Sequence, residues 1–302
     1  SREDVLRSTG PTSGARVWVK IGATKDGKIT SADALLKYQA GAFQGSPVQP
    51  GAMCAFAPYD LENVRAVGFD IVSNRPKVAA YRAPGGPISE YGVESVIDEL
   101  ASALGMDPIE LRLKNAAKEG TLAAYGPRFG PIGFEQTLQA AKAHEHWTAP
   151  LGPNQGRGIA SGFWFNIGGD TCATINLGED GSVALNLGTP DIGGSRASVS
   201  MMAAEELGIP TSSVRPIIAD TSSLGYTFLT GGSRVTFSSG MAAGEAARNV
   251  IEQLRARAAK TWDIPVDAVV WEDGEARPAS SNAGEFEPLS LADLAKDMGK
   301  TG

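Results

Sequence analysis

"GGSRAS", at residues 193–198, returns almost unchanged as "GGSRVT" at residues 231–236, and each copy stands directly before a stretch with helical periodicity. Glycines before a helix let the backbone approach a ligand, and the start of a helix favours negative charge. Arg196 and Arg234 add guanidinium groups that can grip a phosphate. Hydroxyl groups come from Ser195, Ser233 and Thr236. The repeat predicts two loops that hold one extended anionic ligand; the alternative is that Gly-Gly-Ser only turns the chain.

The stretches that follow the two copies predict helices of different character. The apolar positions of the first are Val199, Met202, Ala203 and Leu207, and Gly208 is typical of a helix end. The second places small residues on neighbouring turns, at Gly240, Ala243, Gly244 and Ala247. We expect this small-residue face to press closely on a partner element and to need partners outside the chain.

A third glycine loop, "AAYRAPGGPISEYG" at residues 79–92, contains Arg82 and precedes a helix that we expect to begin near Ser89. The loop also holds Pro84, Gly85 and Gly86. Gly105 is typical of the end of that helix, and Asp107 is typical of the cap of the next one. The loop is either an ordinary turn or part of the same ligand-binding face.

Asp-Gly dipeptides predict tight hairpin turns at three places. They are Asp26-Gly27, Asp180-Gly181 and Asp273-Gly274. A stretch rich in proline, glycine and polar residues at 146–158 separates two halves, and we place the lobes at residues 1–150 and 151–302. The mixture predicts an α+β fold in which both lobes combine mixed β-sheet hairpins with packed helices.

The composition argues against several classes of function. A net charge of −7 over 302 residues leaves no basic stripe for nucleic acid. The chain shows no apolar run that could span a membrane and no leader, so we expect a cytoplasmic protein. Cys54 and Cys172 are too few for a four-thiolate iron–sulfur cluster. His144 and His146 fit a surface helix end better than a metal site, so we predict no metal ligands.

Three stretches carry a resemblance that covers nearly the whole chain. They are "AYRAPGGPISEYGVESVIDELASALGMDPIELRLKN" at 80–115, "GTPDIGGSRASVSMMAAEELGIP" at 188–210 and "DTSSLGYTFLTGGSRVTFSSGMAAGEAA" at 220–247. In this order they resemble the molybdenum-cofactor-binding (large) subunit of the xanthine dehydrogenase and aldehyde oxidase family. The resemblance implies the α+β fold of that subunit's cofactor-binding domain and a molybdopterin cofactor with molybdenum, in bacteria usually as the cytosine dinucleotide.

The resemblance also implies roles for individual residues. The loop that approaches the molybdenum contains Arg82 and Gly85. A second cofactor loop contains Ile192, Gly193, Gly194 and Ser195. A third contains Gly231, Gly232, Ser233, Arg234 and Val235. The resemblance implies that the substrate pocket is lined by Pro84, Phe163 and Trp164. Aromatic clusters of this kind are also typical of a protein core.

The chain departs from the family pattern at three positions. Xanthine-oxidising members carry Arg-Gly-Phe-Gly-Gly, with the phenylalanine stacked on the substrate, where this chain has Pro84. A purine substrate is therefore disfavoured. Carbon monoxide dehydrogenases place a metal-binding cysteine where this chain has Ala83, which disfavours that chemistry. Gly194 stands where a glutamine often contacts the cofactor.

The resemblance implies that this chain is the middle of a larger subunit. We expect a further domain before Ser1 and, beyond Gly302, a Gly-x-Gly-Glu motif whose glutamate is the catalytic base, so that no catalytic residue lies in this chain. The complete enzyme would oxidise an aldehyde or N-heterocycle with water-derived oxygen and pass electrons to iron–sulfur and FAD centres on partner subunits. The chain alone is expected to be inactive. The alternative is a non-catalytic module that binds phosphorylated ligands or serves assembly.

Overall fold

The computed structural model describes residues 1–8, 10–218 and 220–296. The chain divides into two compact units, Ser1–Trp164 and Phe165–Gly302. The lobe boundary that the sequence suggests near residue 150 stays a prediction. None of the described helices is both long and apolar enough to cross a membrane.

Both units contain helices and strands. The helices are α1 (Arg2–Arg7), α2 (Val48–Cys54), α3 (Gly86–Leu104), α4 (Pro108–Asn115), α5 (Phe134–Ala143), α6 (Glu145–Thr148), α7 (Ser195–Leu207), α8 (Gly240–Trp262) and α9 (Leu291–Lys296). The strands are β1 (Ala15–Ala23), β2 (Ile29–Gly41), β3 (Val64–Val72), β4 (Ala173–Leu177), β5 (Val183–Leu187), β6 (Val214–Ile218), β7 (Val269–Glu272), β8 (Glu275–Pro278) and β9 (Leu289–Ser290). A π-helical turn, Val235–Ser239, leads directly into α8.

The first unit is built on a three-stranded sheet in the order β1-β2-β3. β1 and β2 form the predicted antiparallel hairpin, and Gly27 takes a φ of +85° at its turn. β2 then pairs in parallel with β3, which the chain reaches through α2. The central strand β2 buries alternate residues, as the period of a strand requires: Ala32, Ala34, Leu36, Tyr38 and Ala40. α3 covers this face with Val93, Ile97 and Ala101, which lie one turn apart.

The ends of α3 depend on glycine. The helix begins at Gly86, earlier than the predicted start near Ser89, because Gly85 forms a left-handed cap and Pro87 suits the first turn. It ends at Gly105, which has a φ of +64°, as predicted. Asp107 caps α4 as predicted, because its carboxylate accepts the N–H groups of Ile109 and Glu110 at 2.8 and 3.1 Å.

The second unit repeats the arrangement of the first sheet. β4 and β5 form the predicted antiparallel hairpin, and β5 pairs in parallel with β6 after the crossover through α7. A separate sheet in the order β7-β8-β9 follows α8, and Asp273 and Gly274 make its predicted turn with φ values of +50° and +77°. Both units combine helices with sheets in which an antiparallel hairpin adjoins a parallel pair, and this mixture confirms the α+β class.

The small-residue face of α8 already has a partner in this chain. Gly240, Ala243, Gly244 and Ala247 are buried where α8 packs on α7. A Cβ at Gly240 would overlap the sulfur of Met202. The expectation that this face needs partners outside the chain is therefore wrong, because the absence of side chains lets α7 itself approach closely.

Candidate functional site

The loop before α3 is held rigidly by the chain around it. Gly85 has a φ of +85°, and a Cβ there would overlap the carbonyl oxygen of Pro47 and lie 3.0 Å from the N of Gly51. The Tyr38 hydroxyl donates a hydrogen bond to the Gly85 carbonyl at 2.9 Å. The Ser89 hydroxyl donates to the Gly51 carbonyl at 2.7 Å. Only glycine fits at position 85, and its role there is to pack the chain.

Arg82 lies in the same loop and faces solvent. Among the residues that the structure describes, none pairs with its guanidinium group through an ion pair or a side-chain hydrogen bond. Its neighbour Ala83 takes a φ of +52°, a conformation that costs about 1–2 kcal/mol for a residue with a Cβ. Arg82 is thus a free cation at the end of a rigid loop.

The structure brings this loop together with the predicted pocket aromatics of the first unit. A Cβ at Gly86 would lie 3.5 Å from the Trp164 ring and 3.6 Å from the Cys54 sulfur. The Phe163 ring packs against Tyr125 and Phe129, with ring centroids 5.7 and 5.6 Å apart. Phe163, Trp164 and Pro84 are all half-buried.

Cys54 does not add a reactive thiol to this neighbourhood. Its side chain is fully buried, and burial, with a smaller effect of the nearby Glu90, raises the pKa of the thiol to about 12. A thiol with so high a pKa is a poor nucleophile at neutral pH. Its sulfur packs beside Gly86 at the start of α3.

The loop before α7 has open space around its glycines, whereas the loop before α3 is packed against other parts of the chain. Gly193 and Gly194 have φ values of +58° and +88°, and no heavy atom lies within 4 Å of a Cβ built at either position. Both glycines and Ile192 are exposed. Within the described parts of the chain, neither glycine donates its N–H to another residue. The loop therefore presents two free N–H groups to open space.

The side chains of this loop bind each other instead. The Ser195 hydroxyl oxygen accepts the Ile192 N–H at 3.0 Å, and Ser195 is buried. Asp191, which the sequence analysis missed, accepts the Arg196 N–H at 3.1 Å and pairs with its guanidinium group at 3.6 Å. These contacts favour a role for Ser195 and Arg196 in shaping the loop over a direct contact with a ligand. The signal that could have identified Asp191 is its place just before a helix.

The third loop, Gly231–Val235, is fastened by a segment that the sequence analysis did not connect with it. Ile167 donates its N–H to the Gly232 carbonyl at 3.1 Å, and the Asn166 amide donates to the Ser233 carbonyl at 2.9 Å. Gly232 and Ser233 have φ values of +75° and +61°. Neither donates its N–H to any described residue, so this loop too presents free donors.

Arg234 is buried and bonded within the chain, whereas its sequence position predicts contact with a ligand. The residue is fully buried, and its guanidinium group donates to the carbonyl oxygens of Gly168 at 2.7 Å, Phe228 at 2.9 Å and Gly169 at 2.9 Å. It also donates to the Asp170 carbonyl at 2.7 Å and to the Thr171 hydroxyl. Because the Arg234 guanidinium group is buried and donates its N–H groups to oxygens of this chain, it is not available to bind a phosphate. The geometry supports a positioning role, in which Arg234 ties the Gly231–Val235 loop to segment 168–171.

The second and third loops lie at the same end of a helix pair. Met202 of α7 lies against Gly240 of α8, and further along both helices Glu206 pairs with Arg248 at 2.9 Å. The helices therefore run in the same direction, so their N-terminal ends and the loops before them are neighbours. The hydroxyls of Thr189 and Ser239 share a hydrogen bond of 3.2 Å between the two loop ends. Parallel N-terminal ends add their partial positive charges, which Asp191 offsets in part.

The second unit thus offers free N–H groups of Gly193, Gly194, Gly232 and Ser233 in the two loops that precede α7 and the π-helical turn before α8. This donor set fits a ligand rich in acceptor oxygens, such as a pyrophosphate, and the open space at Gly193 and Gly194 lets it approach the backbone. By contrast, no group of three or more His, Cys, Asp or Glu side chains among the described residues could hold a metal. His144 and His146 lie at the exposed end of α5 and in α6.

Comparison with known proteins identifies a family for both parts of the chain. Residues 1–116 and residues 134–301 each match a family described as a molybdopterin cofactor-binding domain. A xanthine dehydrogenase molybdenum-binding subunit of Escherichia coli O157:H7 is 32% identical over 163 residues, which are 48% of this chain and 21% of that protein. The nicotinate dehydrogenase large molybdopterin subunit of Eubacterium barkeri is 30% identical over 146 residues, which are 47% of this chain and 34% of that subunit.

The fold has close counterparts among solved structures. Quinoline 2-oxidoreductase from Pseudomonas putida 86 superposes with a TM-score of 0.80 over 98% of this chain and 41% of that chain, at 18% identity. The similarity shows a shared fold. The chain spans about a fifth to a third of the length of the two curated relatives above. The resemblance inferred from the three sequence stretches is confirmed: the chain belongs to the molybdopterin cofactor-binding domain family of the molybdenum-dependent xanthine dehydrogenases and aldehyde oxidoreductases.

Proposed function

We propose that the loops Ile192–Ser195 and Gly231–Val235 bind the phosphate-bearing part of a molybdopterin cofactor. One observation carries this proposal: four free N–H groups lie in the two loops that precede a pair of parallel, packed helices. A pyrophosphate supplies many acceptor oxygens and negative charge, which is what such an arrangement stabilises. The cytosine dinucleotide form of the cofactor is part of the proposal.

In the first unit, we assign cofactor contact to Arg82, a supporting role in the same cofactor loop to Gly85, and the wall of a substrate pocket to Pro84, Phe163 and Trp164. The support is the free guanidinium group of Arg82 and the packing of Trp164 against the start of α3. Gly85 acts through the shape of its loop. Pro84 presents no aromatic face on which a purine could stack, so the pocket suits an aldehyde or another N-heterocycle.

The cofactor, when bound, supplies the redox chemistry that oxidises such a substrate with oxygen derived from water. This chain's residues bind and orient the cofactor, and the catalytic base is expected from a glutamate beyond Gly302. Electrons would leave through iron–sulfur and FAD centres on partner subunits. We also propose that the chain alone is inactive and that the protein is cytoplasmic. The alternative of a non-catalytic module has no support among the relatives, which are parts of molybdenum enzymes.

The decisive experiment is to produce the complete protein that contains this chain in a host that makes molybdopterin. We expect about one molybdenum and one pterin per chain, and cytidine monophosphate after acid hydrolysis. With an aromatic aldehyde, an artificial electron acceptor and water enriched in oxygen-18, the acid formed should carry the heavy oxygen. The matched control is residues 1–302 alone, which should show no turnover.

Three results would contradict the proposal. A complete protein without pterin or molybdenum would remove the cofactor role. A different nucleotide after hydrolysis would correct only the dinucleotide form. Turnover by residues 1–302 alone would show that the catalytic base lies within this chain.

A further inference from the structure

Two carboxylates of α3 hold the segment that carries the predicted pocket aromatics. Glu94 accepts the Ser161 N–H at 2.6 Å, and Glu90 accepts the Phe163 N–H at 2.7 Å. Four residues of helix rise about 6 Å, and two residues of extended chain span about 6.6 Å. Because these lengths agree, carboxylates one helical turn apart can bind alternate N–H groups of the segment.

The two carboxylates differ in their surroundings. Glu94 is neutralised by the buried Arg112, whose Nε and Nη2 lie 2.9 and 2.8 Å from its Oε2. It also accepts the Tyr59 hydroxyl, and Arg112 pairs in addition with Asp98 at 2.8 Å. Removing Arg112 would leave a buried charge without a partner, so this group is part of the framework of the unit.

Glu90 has no such partner. No lysine, arginine or histidine within the described ranges forms an ion pair with it. Burial raises the pKa of Glu90 from 4.5 to about 7; the Phe163 N–H opposes this, and the charge of Glu94 adds to it. The other titratable groups that face it, Tyr38 of β2 and Cys54 of α2, are buried, and burial raises the pKa of both. Glu90 is therefore a carboxylate whose charge changes near neutral pH.

The position of Glu90 links the two parts of the first unit's candidate site. Its helix begins directly after the Arg82–Gly85 loop, and its carboxylate binds the backbone of Phe163. A Cβ at Gly162 would lie 3.4 Å from the same carboxylate. The next residue, Trp164, packs against Gly86 at the start of α3.

We propose that Glu90 is a positioning residue for the substrate pocket, which fixes the backbone of Phe163 and thereby the aromatic side chains of Phe163 and Trp164. The inference rests on the proposed function, because it takes these two side chains as pocket residues. A carboxylate accepts an N–H more strongly than a neutral acid does. Phe163 is therefore held more firmly once Glu90 is ionised, above pH 7, and substrate should bind more tightly there.

The effect on overall stability has the opposite sign. Because folding raises the pKa of Glu90 above 4.5, the folded chain binds more protons than the unfolded chain between pH 4.5 and about 7. The stabilisation is complete below pH 4.5 and is lost as the pH rises through about 7. Glu90→Gln removes this titration and keeps an oxygen that accepts the Phe163 N–H.

The test compares Glu90→Ala and Glu90→Gln in the complete enzyme, with Glu99→Gln as the matched control on the exposed side of α3. In Glu90→Ala, loss of the hydrogen bond should raise KM about tenfold and speed exchange of the Phe163 amide proton about tenfold, with kcat nearly unchanged. In the wild type KM should fall between pH 6 and pH 8. Glu90→Gln should lack this change, and Glu99→Gln should match the wild type.

Unchanged amide exchange at Phe163 in Glu90→Ala would overturn the proposal. Faster exchange with an unchanged KM would also overturn it, because Phe163 would then be held but would not shape the pocket. A fall in kcat and stability together, with KM unaffected, would assign Glu90 a structural role only. If the complete protein contained no molybdopterin, the proposed function would fail by itself, and the amide exchange would still decide whether Glu90 holds Phe163.

Discussion

The loops before α3 and α7 have the same backbone geometry and opposite surroundings. Gly85 and Gly194 both cap a helix in the left-handed conformation, with φ values of +85° and +88°. Gly85 is buried, and a Cβ there would overlap the Pro47 carbonyl oxygen. Gly194 is exposed, and a Cβ there would meet no heavy atom within 4 Å. At Gly85 the missing side chain lets another part of the chain pack closely. At Gly194 it leaves open space beside the backbone.

The side chains of the two loops differ in the opposite sense: they are free in the loop before α3 and bonded in the loop before α7. In the loop before α3 the backbone is used for packing and the guanidinium group of Arg82 is free. In the loop before α7, Asp191, Ser195 and Arg196 bind within the loop, and the N–H groups of its glycines are free. We infer that the first loop would contact a ligand through a side chain and the second through its backbone. Three substitutions test this difference.

Gly85→Ala should have the largest effect on stability. The left-handed conformation and the overlap with Pro47 together should cost about 2–5 kcal/mol of the free energy of unfolding. Denaturant unfolding of the purified protein measures this. Gly105→Ala is the matched control, because Gly105 has a φ of +64° and open space around it. Equal losses at the two positions would mean that the contact with Pro47 adds nothing.

Gly194→Ala should have a moderate effect on stability and a larger one on the cofactor. The backbone conformation alone should cost about 1–2 kcal/mol, as at Gly105. The new methyl group would occupy space that we assign to the cofactor, so the molybdenum content of the complete enzyme should fall. Metal analysis of Gly194→Ala against Gly105→Ala separates the two effects. Equal molybdenum contents would remove Gly194 from the cofactor site.

Arg82→Gln should have the smallest effect on stability, within about 0.5 kcal/mol, because the side chain is exposed and binds no described residue. The complete enzyme should nevertheless lose activity or cofactor, because the loop would lose its only free cation for the ligand. Arg16→Gln is the control, since Arg16 is also exposed but lies on β1. Full activity of Arg82→Gln would contradict the inference that the loop before α3 contacts the ligand through a side chain.

Much of the local structure could be predicted because it depends on short-range chemistry. The hairpin turns at Gly27 and Gly274 and the end of α3 at Gly105 all require a positive φ, which glycine adopts without strain. The start of α3 was less predictable. Its Gly85 cap contains no polar side chain, and what holds it is the distant Tyr38 hydroxyl.

Arg234 shows what the sequence does not reveal about a predicted site residue. Next to two glycines and a serine, an arginine indicates a phosphate site, and the sequence contains no sign that carbonyl groups some 65 residues away will meet it. Glu90 is the opposite case, a residue that the sequence does not single out and the structure does. Nothing in its sequence context suggests a function, and only the packing of segment 161–163 against α3 shows what it binds.

The sequence by itself determined the turns, the helix ends, the α+β class and, through three stretches, the family. These depend on backbone conformation and on the order of motifs, both of which are local or linear properties of the chain. Only the tertiary structure decided which glycines make room for the chain, which leave N–H groups free, and which charged groups are already paired. Those properties depend on what lies across the fold, where burial turns one carboxylate into the partner of an arginine and leaves the other to titrate.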